Sequence, residues 1–409
     1  MRFLLHCRAG AALPLLLACA CNNKAAPVDS ASPRCEASPV DGPLPEALPT
    51  LAVQELDISE LEAGDLDGDG CAELLVTTRN TLEVIRGPVT PDLSRAPLHV
   101  DGTFGQTSGA WEDSPLATFD VDGDGQEELL LGGWSADPDG YGAVRLLRLE
   151  GWAFTLLGEY TGPEVSGHYL GRAVSPAGDQ DDDGQVDLLV AGNFAASAAY
   201  LISAGTPSGP VEEAARLVVR GGEHVGWDVD AADLDGDGRP ELVISATDAV
   251  AIFAAGTEGV VDMADADALH RAHTGIAAVL TPDPDGDGVA ELWVGAWEAA
   301  RVLRFAEPMA PEAGPTGAWI NRRYLGDVLV APGDLDGDGR GEVALRYAPE
   351  AGGKAWVVVT PQEGTVDLGA EAPLLELRST WGLVPVVLED DTPVLATWEP
   401  GELRLLTLR

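Results

Sequence analysis

The sequence predicts an all-β chain closed into a seven-bladed β-propeller, and three observations carry the prediction. One acidic nine-residue pattern recurs six times, its first aspartates at 65, 120, 179, 233, 283 and 334, about 54 residues apart. Each copy runs into a short β-rich apolar stretch that ends in a turn: LLVTT, LLLGG, LLVAG, LVISA, LWVGA or VALRY. Among the repeats no stretch of useful length has a helical apolar period. Repeats of this length with four short strands each are blades, which hide their sheet edges by packing around a ring.

The N-terminus comes before the ring. Residues 1–18 combine Arg2 and Arg8 with a short apolar run, Ala11–Ala18. That run falls far below the roughly 20 residues a membrane span needs, so it reads as an export signal. It ends Leu16-Leu17-Ala18-Cys19, which resembles a bacterial lipobox and implies lipidation at Cys19, with Cys21 as the weaker candidate. Neither residue after a candidate cysteine is the Asp that retains such lipoproteins in the inner membrane, so the expected location is the outer membrane or cell surface. Residues 19–49 are rich in Pro and Ala and lack an apolar period, as expected of an extended tether. Cys35 in the tether and Cys71 in the body are expected to form a disulfide in an oxidising compartment.

Each acidic loop then has a chemical reading. The loops are Asp65-Leu-Asp67-Gly-Asp69-Gly-Cys71-Ala-Glu73, Asp120-Val-Asp122-Gly-Asp124-Gly-Gln126-Glu-Glu128 and Asp179-Gln-Asp181-Asp-Asp183-Gly-Gln185-Val-Asp187. The other three are Asp233-Leu-Asp235-Gly-Asp237-Gly-Arg239-Pro-Glu241, Asp283-Pro-Asp285-Gly-Asp287-Gly-Val289-Ala-Glu291 and Asp334-Leu-Asp336-Gly-Asp338-Gly-Arg340-Gly-Glu342. Carboxylates at positions 1, 3 and 5 converge on one point when the chain turns sharply at the position-6 glycine. A backbone carbonyl at position 7 (Cys71, Gln126, Gln185, Arg239, Val289, Arg340) and the acid at position 9 complete an oxygen cage. Six or more flexible oxygens suit Ca2+ better than Mg2+, so up to six calcium ions are expected. The loop is not an EF-hand, because position 12 is apolar or β-branched (Val76, Leu131, Val190, Ile244, Val294, Leu345) and a strand follows it.

These loops, with Gly171, Gly226, Gly275 and Gly326 about eight residues before the first Asp, and small-residue turns at Gly132-Gly133, Ala191-Gly192 and Gly295-Ala296, resemble the FG-GAP (VCBS) repeat. The resemblance spans residues 50–409 and implies the propeller of integrin α-chains and of bacterial surface proteins.

Six loops do not make six blades. After KAWVVVTP (354–361) and GTVDL, which are expected to finish the sixth blade, Trp381-Gly382 opens a seventh that lacks the acidic cage. It offers only three strands, near 382–389, 393–398 and 402–408, and residues 50–56 supply an apolar fourth that would close the ring.

With 24 Lys+Arg against 68 Asp+Glu, the formal charge of -44 excludes nucleic acid and acidic membranes as charge-driven partners, so the membrane contact expected is through the N-terminal lipid alone. Twenty-four of those 68 acids stand at cage positions. No HExxH, GxSxG or P-loop occurs, and the patterned carboxylates, the candidates for a glycosidase pair, are nearly all assigned to the cages, so no catalytic residue is expected. His270 and His273 read as surface residues without a third metal partner. On the face opposite the loops the pattern places Trp134, Trp297 and Trp398 after second strands, and Trp111, Tyr169, Trp227, Tyr324 and Trp381 before first strands. They either fill gaps between blades or form a platform for an extracellular glycan or protein. The functional expectation is a calcium-binding recognition or adhesion module. A propeller enzyme acting on polysaccharide and a purely structural envelope lipoprotein are the alternatives.

Overall fold

A computed structural model describes residues 50–56, 58–78, 81–87, 89, 98–101, 115–133, 139–271, 277–296, 301–310, 314–320, 322, 325–336, 338–349, 353–370, 373–378, 380, 382–387, 393–399 and 401–407. Residues 1–49, where a signal and a tether are expected, and with them Cys19, Cys21 and Cys35, lie outside them. The chain forms seven sheets, each an antiparallel meander of four strands at its core. The first strands are 58–64, 116–119, 173–176, 229–232, 277–280, 329–333 and 382–387; each touches the first strand of the next blade, and the seventh touches the first. The ring is closed by residues 50–56, which pair antiparallel with 401–407 as the outer strand of the seventh blade. Both chain ends of the body therefore lie in one sheet, and the last blade has no unpartnered outer side at 401–407.

The second strands read as continuous apolar runs because both of their faces are buried. In 73–78, Leu74 and Val76 pack toward the seventh blade while Leu75 packs toward the second. Seven hydrophobic clusters result, one in each gap between neighbouring blades, so the core is a set of interfaces around the ring. The gap between blades five and six holds Trp293 stacked on Trp319, with ring centroids 4.5 Å apart.

The glycines before the loops fit the same interfaces. Gly171 has φ +86°, and a Cβ there would meet the carbonyl oxygen of Ala143 at 2.6 Å and the amide of Gly133 at 2.7 Å on the preceding blade. Gly326 has φ +80°, and its Cβ would lie 2.5 Å from Val302 Cγ2 and 2.9 Å from Gly295 Cα. The glycine entering one blade and the small residues ending the second strand of the blade before it form one backbone-to-backbone contact.

One strand assignment is corrected. Residues 364–367, expected to complete the sixth blade, pair in parallel with 317–320 of the fifth, and 375–378 is the sixth blade's outer strand. Residues 259–262 add to 217–220 and 209–210 to 160–161 in the same way. The segment between third and fourth strands thus covers the outer edge of the preceding blade at three interfaces, an arrangement with no apolar signature because it is made of backbone hydrogen bonds.

Candidate metal centres and the opposite face

Every acidic loop joins a first strand to a second strand, so all six lie on one face of the ring. The position-1 aspartate organises the turn by accepting backbone amides: Asp65 from Asp69 (3.0 Å) and Gly70 (2.8 Å), Asp120 from Gly123 (2.7 Å) and Gly125 (2.8 Å). The position-5 aspartate accepts the amide of position 7, at 2.8–2.9 Å in all six loops. The position-6 glycines have φ of 88–90°, a left-handed conformation that any side chain would strain. In the third loop Asp182 stands where four other loops have a described left-handed glycine and keeps φ +60°, which Asp tolerates better than most residues.

The position-9 acid is buried in all six loops. Its side chain closes the loop by accepting the amide of position 2: Glu73 from Leu66 (2.8 Å), Glu128 from Val121 (2.9 Å), Asp187 from Gln180 (3.1 Å), Glu241 from Leu234 (2.8 Å) and Glu342 from Leu335 (2.7 Å). The fifth loop has Pro284 at position 2 and no amide to offer, and there Glu291 turns to the Arg304 guanidinium, 2.6 Å from Nε.

The loops gather carboxylate oxygens as a hard cation requires. Asp65, Asp67 and Glu73 offer oxygens within 4.8 Å of one another, as do Asp120, Asp122 and Glu128; Asp179, Asp181 and Asp183; Asp233, Asp235 and Glu241; and Asp283, Asp285 and Asp287. These clusters are placed to hold metal ions. Burial, reinforced by repulsion from loop aspartates and opposed by the amide bonds, pushes Glu73 and Glu342 up to about 8 and Glu241 up to about 7. Asp187 rises to about 7 for the same reason, although Arg216 pulls it back. A divalent ion would relieve this crowding. Cys71, at position 7 of the first loop, is buried and disulfide-bonded.

Neighbouring loops are tied into a belt. The position-8 amide donates to a carbonyl of the preceding loop: Glu127 to Asp65 (2.9 Å), Val186 to Val121 (2.9 Å), Ala290 to Asp233 (2.8 Å) and Gly341 to Pro284 (2.7 Å). The fourth loop has Pro240 at position 8 and cannot donate. There Gln180, at position 2 of the third loop, donates its own amide to the Pro240 carbonyl (2.8 Å) and to that of Ala177 (2.6 Å), and its oxygen accepts the Gly256 amide (3.0 Å).

The opposite face is only partly where the sequence pointed. Trp111, Trp134, Trp297, Trp381, Tyr324 and His273 lie outside the described residues. Trp398 is a correction: it is buried against the first blade in the core, because Gly382, its cross-strand partner, leaves room for the indole. His270 is also buried, its Nε2 2.5 Å from the Pro308 carbonyl oxygen. Trp227 is half-buried with the Arg172 guanidinium 5.0 Å from its ring centre, and belongs to a chain of edge contacts through His224 and Phe194 to Tyr169. Phe194 and His224 are absent from the sequence-based set. Phe194 is 45% exposed despite its apolar ring. Beside it lies a cavity of about 640 Å³ lined by Pro163, Val165, Phe194, Glu212, Arg220 and His224. Tyr169 (φ +58°), Ala196 (φ +52°) and His224 (φ +57°) are three of the five non-glycine residues with left-handed backbone among those described. The sequence signal was there in GHYLG and EHVGW, a histidine before each first-strand glycine.

The family model described as "FG-GAP-like repeat" matches residues 65–131 and 179–244. No curated protein sequence matches the chain. Among solved structures, the crystal structure of BBS1N in complex with ARL6DN, soaked with lead, aligns over 90% of this chain and 98% of that chain at 10% identity, with a TM-score of 0.56. The same complex soaked with mercury covers the same shares at 10% identity with a TM-score of 0.54. At that identity the likeness shows a shared fold. The chain thus carries segments that match the FG-GAP-like repeat model, at residues 65–131 and 179–244, within a seven-bladed β-propeller.

Proposed function

We propose that this propeller is a calcium-stabilised, non-enzymatic recognition module, held at the outer membrane or cell surface by lipid on Cys19 and binding an extracellular protein or glycan. The loops carry the calcium part: oxygen-only ligands, up to four acids per turn and no nitrogen or thiolate donor suit a hard cation. The single observation that carries the recognition part is the exposed Phe194 beside the 640 Å³ cavity, on the face away from the loops. An aromatic ring in water, flanked by His224, Arg220 and Glu212, offers stacking and polar contacts together. The division of labour is then spatial: cations fix one face and leave the other to bind. The test is capture from arrays of surface glycans and of purified surface proteins by the immobilised chain, with wild type and Phe194→Ala in parallel. The reading expects a ligand that wild type retains and the variant, with unchanged melting, loses. A ligand held equally by both removes the cavity from the account.

A further inference from the structure

We infer that Arg148 is the built-in counter-ion of the second acidic loop, so that this loop binds no divalent cation while the arginine is in place. The inference rests on the calcium reading and departs from it at one loop. The Arg148 Nε lies 2.6 Å from Glu128 Oε1, one terminal nitrogen lies 2.7 Å from Asp122 Oδ2, and the other lies 3.6 Å from Asp124 Oδ2. The guanidinium therefore engages positions 9, 3 and 5 of the cage at once. A guanidinium is a flat fork of five donors that never loses its proton, and it satisfies several carboxylates as a cation would. A calcium ion needs six or more oxygens at about 2.3–2.6 Å and cannot share that space with a second positive group.

The neighbouring blades provide the comparison. Blade two pairs Leu129 with Leu147, which sets Arg148 across from Glu128. Blade one pairs Leu74 with Ile85, which sets Arg86 across from Glu73. There the guanidinium lies over the Trp152 ring, 3.6 Å from its centre, and Glu73 accepts the amides of Leu66 and Gly87. Trp152 belongs to the turn between the third and outer strands of blade two, so that blade's hairpin occupies the guanidinium, whose charge reaches Asp69 of the first loop without engaging Glu73. Blades four and six place Ala254 and Thr360 at the corresponding position, and no arginine comes from that strand. In blade five Arg304 pairs with Glu291, and Asp285 acts on it only through its charge. In blade three Arg216 also reaches the cage, with one terminal nitrogen 2.9 Å from Asp181 Oδ2 and 3.8 Å from Asp187 Oδ2, but it is shared with Glu258 and engages two cage acids; the second loop differs in having one guanidinium on positions 9, 3 and 5 at once.

The test is the number of calcium ions bound per full-length chain, read by equilibrium dialysis and elemental analysis at saturating calcium. Arg148→Gln is expected to bind one ion more than wild type, and Arg86→Gln the same number as wild type. In the wild-type background, Asp122→Asn with Asp124→Asn is expected to leave the count unchanged; added to Arg148→Gln, it should remove the extra ion. Arg148→Gln with an unchanged count overturns the inference, as does loss of one ion from the paired asparagine substitution in the presence of Arg148. If Arg148→Gln does not fold, that paired substitution decides alone. A wild type that binds no calcium refutes the calcium reading, and Arg148→Gln that still binds none then refutes this inference with it.

Discussion

Gln180→Leu should destabilise the propeller although Leu is the residue that position 2 carries in three other loops. The side chain is buried, at 1% exposure, and makes three hydrogen bonds, to the carbonyls of Ala177 and Pro240 and from the amide of Gly256. Each buried backbone group left without a partner costs about 1–3 kcal/mol, partly offset by the apolar surface that Leu adds, so a net loss of about 2–5 kcal/mol is expected. At roughly 2 °C per kcal/mol for a body of this size, calorimetry should show a fall of about 4–10 °C. The compensating change is Pro240→Ala. It restores an amide at position 8, where Glu127, Val186, Ala290 and Gly341 already donate to the preceding loop. Alone it should be neutral or slightly destabilising. Combined with Gln180→Leu it should recover about 1 kcal/mol, a coupling of the size found for residues in direct contact. Additive losses in the double variant, or a Gln180→Leu protein as stable as wild type, would refute the belt as the reason for this glutamine.

Two further outcomes follow from the geometry. Glu73 and Glu342 at about 8, and Glu241 and Asp187 at about 7, all sit above their unfolded values near 4. The unfolded chain ionises first, so without cations stability falls as pH rises from about 4.5 to 8, and excess calcium should flatten that decline. A chelated protein whose melting temperature rises across this range contradicts the crowding. Gly326→Ala forces a side chain into φ +80° and against Val302 Cγ2, and should cost about 2–5 kcal/mol in urea unfolding; an unchanged midpoint would show that the contact between blades yields easily.

The loops and the blade count were legible because turn chemistry is local: a position-6 glycine, aspartates two apart and an apolar strand afterwards form one short word that recurs. The seventh blade was legible as a frame, Trp381-Gly382 before three strands, even with no acids in its loop. Contacts that pass between blades were less so. Residues 364–367 look like any short strand, and only the backbone shows that they join the blade before. Arg148 and Arg86 stand across from the position-9 acid of their own blades, a match of strand register that their unequal spacing in the sequence hides, and the Trp152 ring that engages Arg86 comes from a different blade. Trp398 reads like any aromatic after a second strand until Gly382 is seen across from it. Phe194 and His224 gain meaning only when the turns of two blades come together.

The most direct test of the whole account is the melting of the purified full-length chain by calorimetry in excess calcium and in excess chelator at pH 7.5. Each site filled far above its dissociation constant adds a few kcal/mol, about 4 at a thousandfold excess, so several sites together should separate the two transitions by ten degrees or more. Transitions that coincide would show that the acidic loops stand without a cation, and the calcium account would fall.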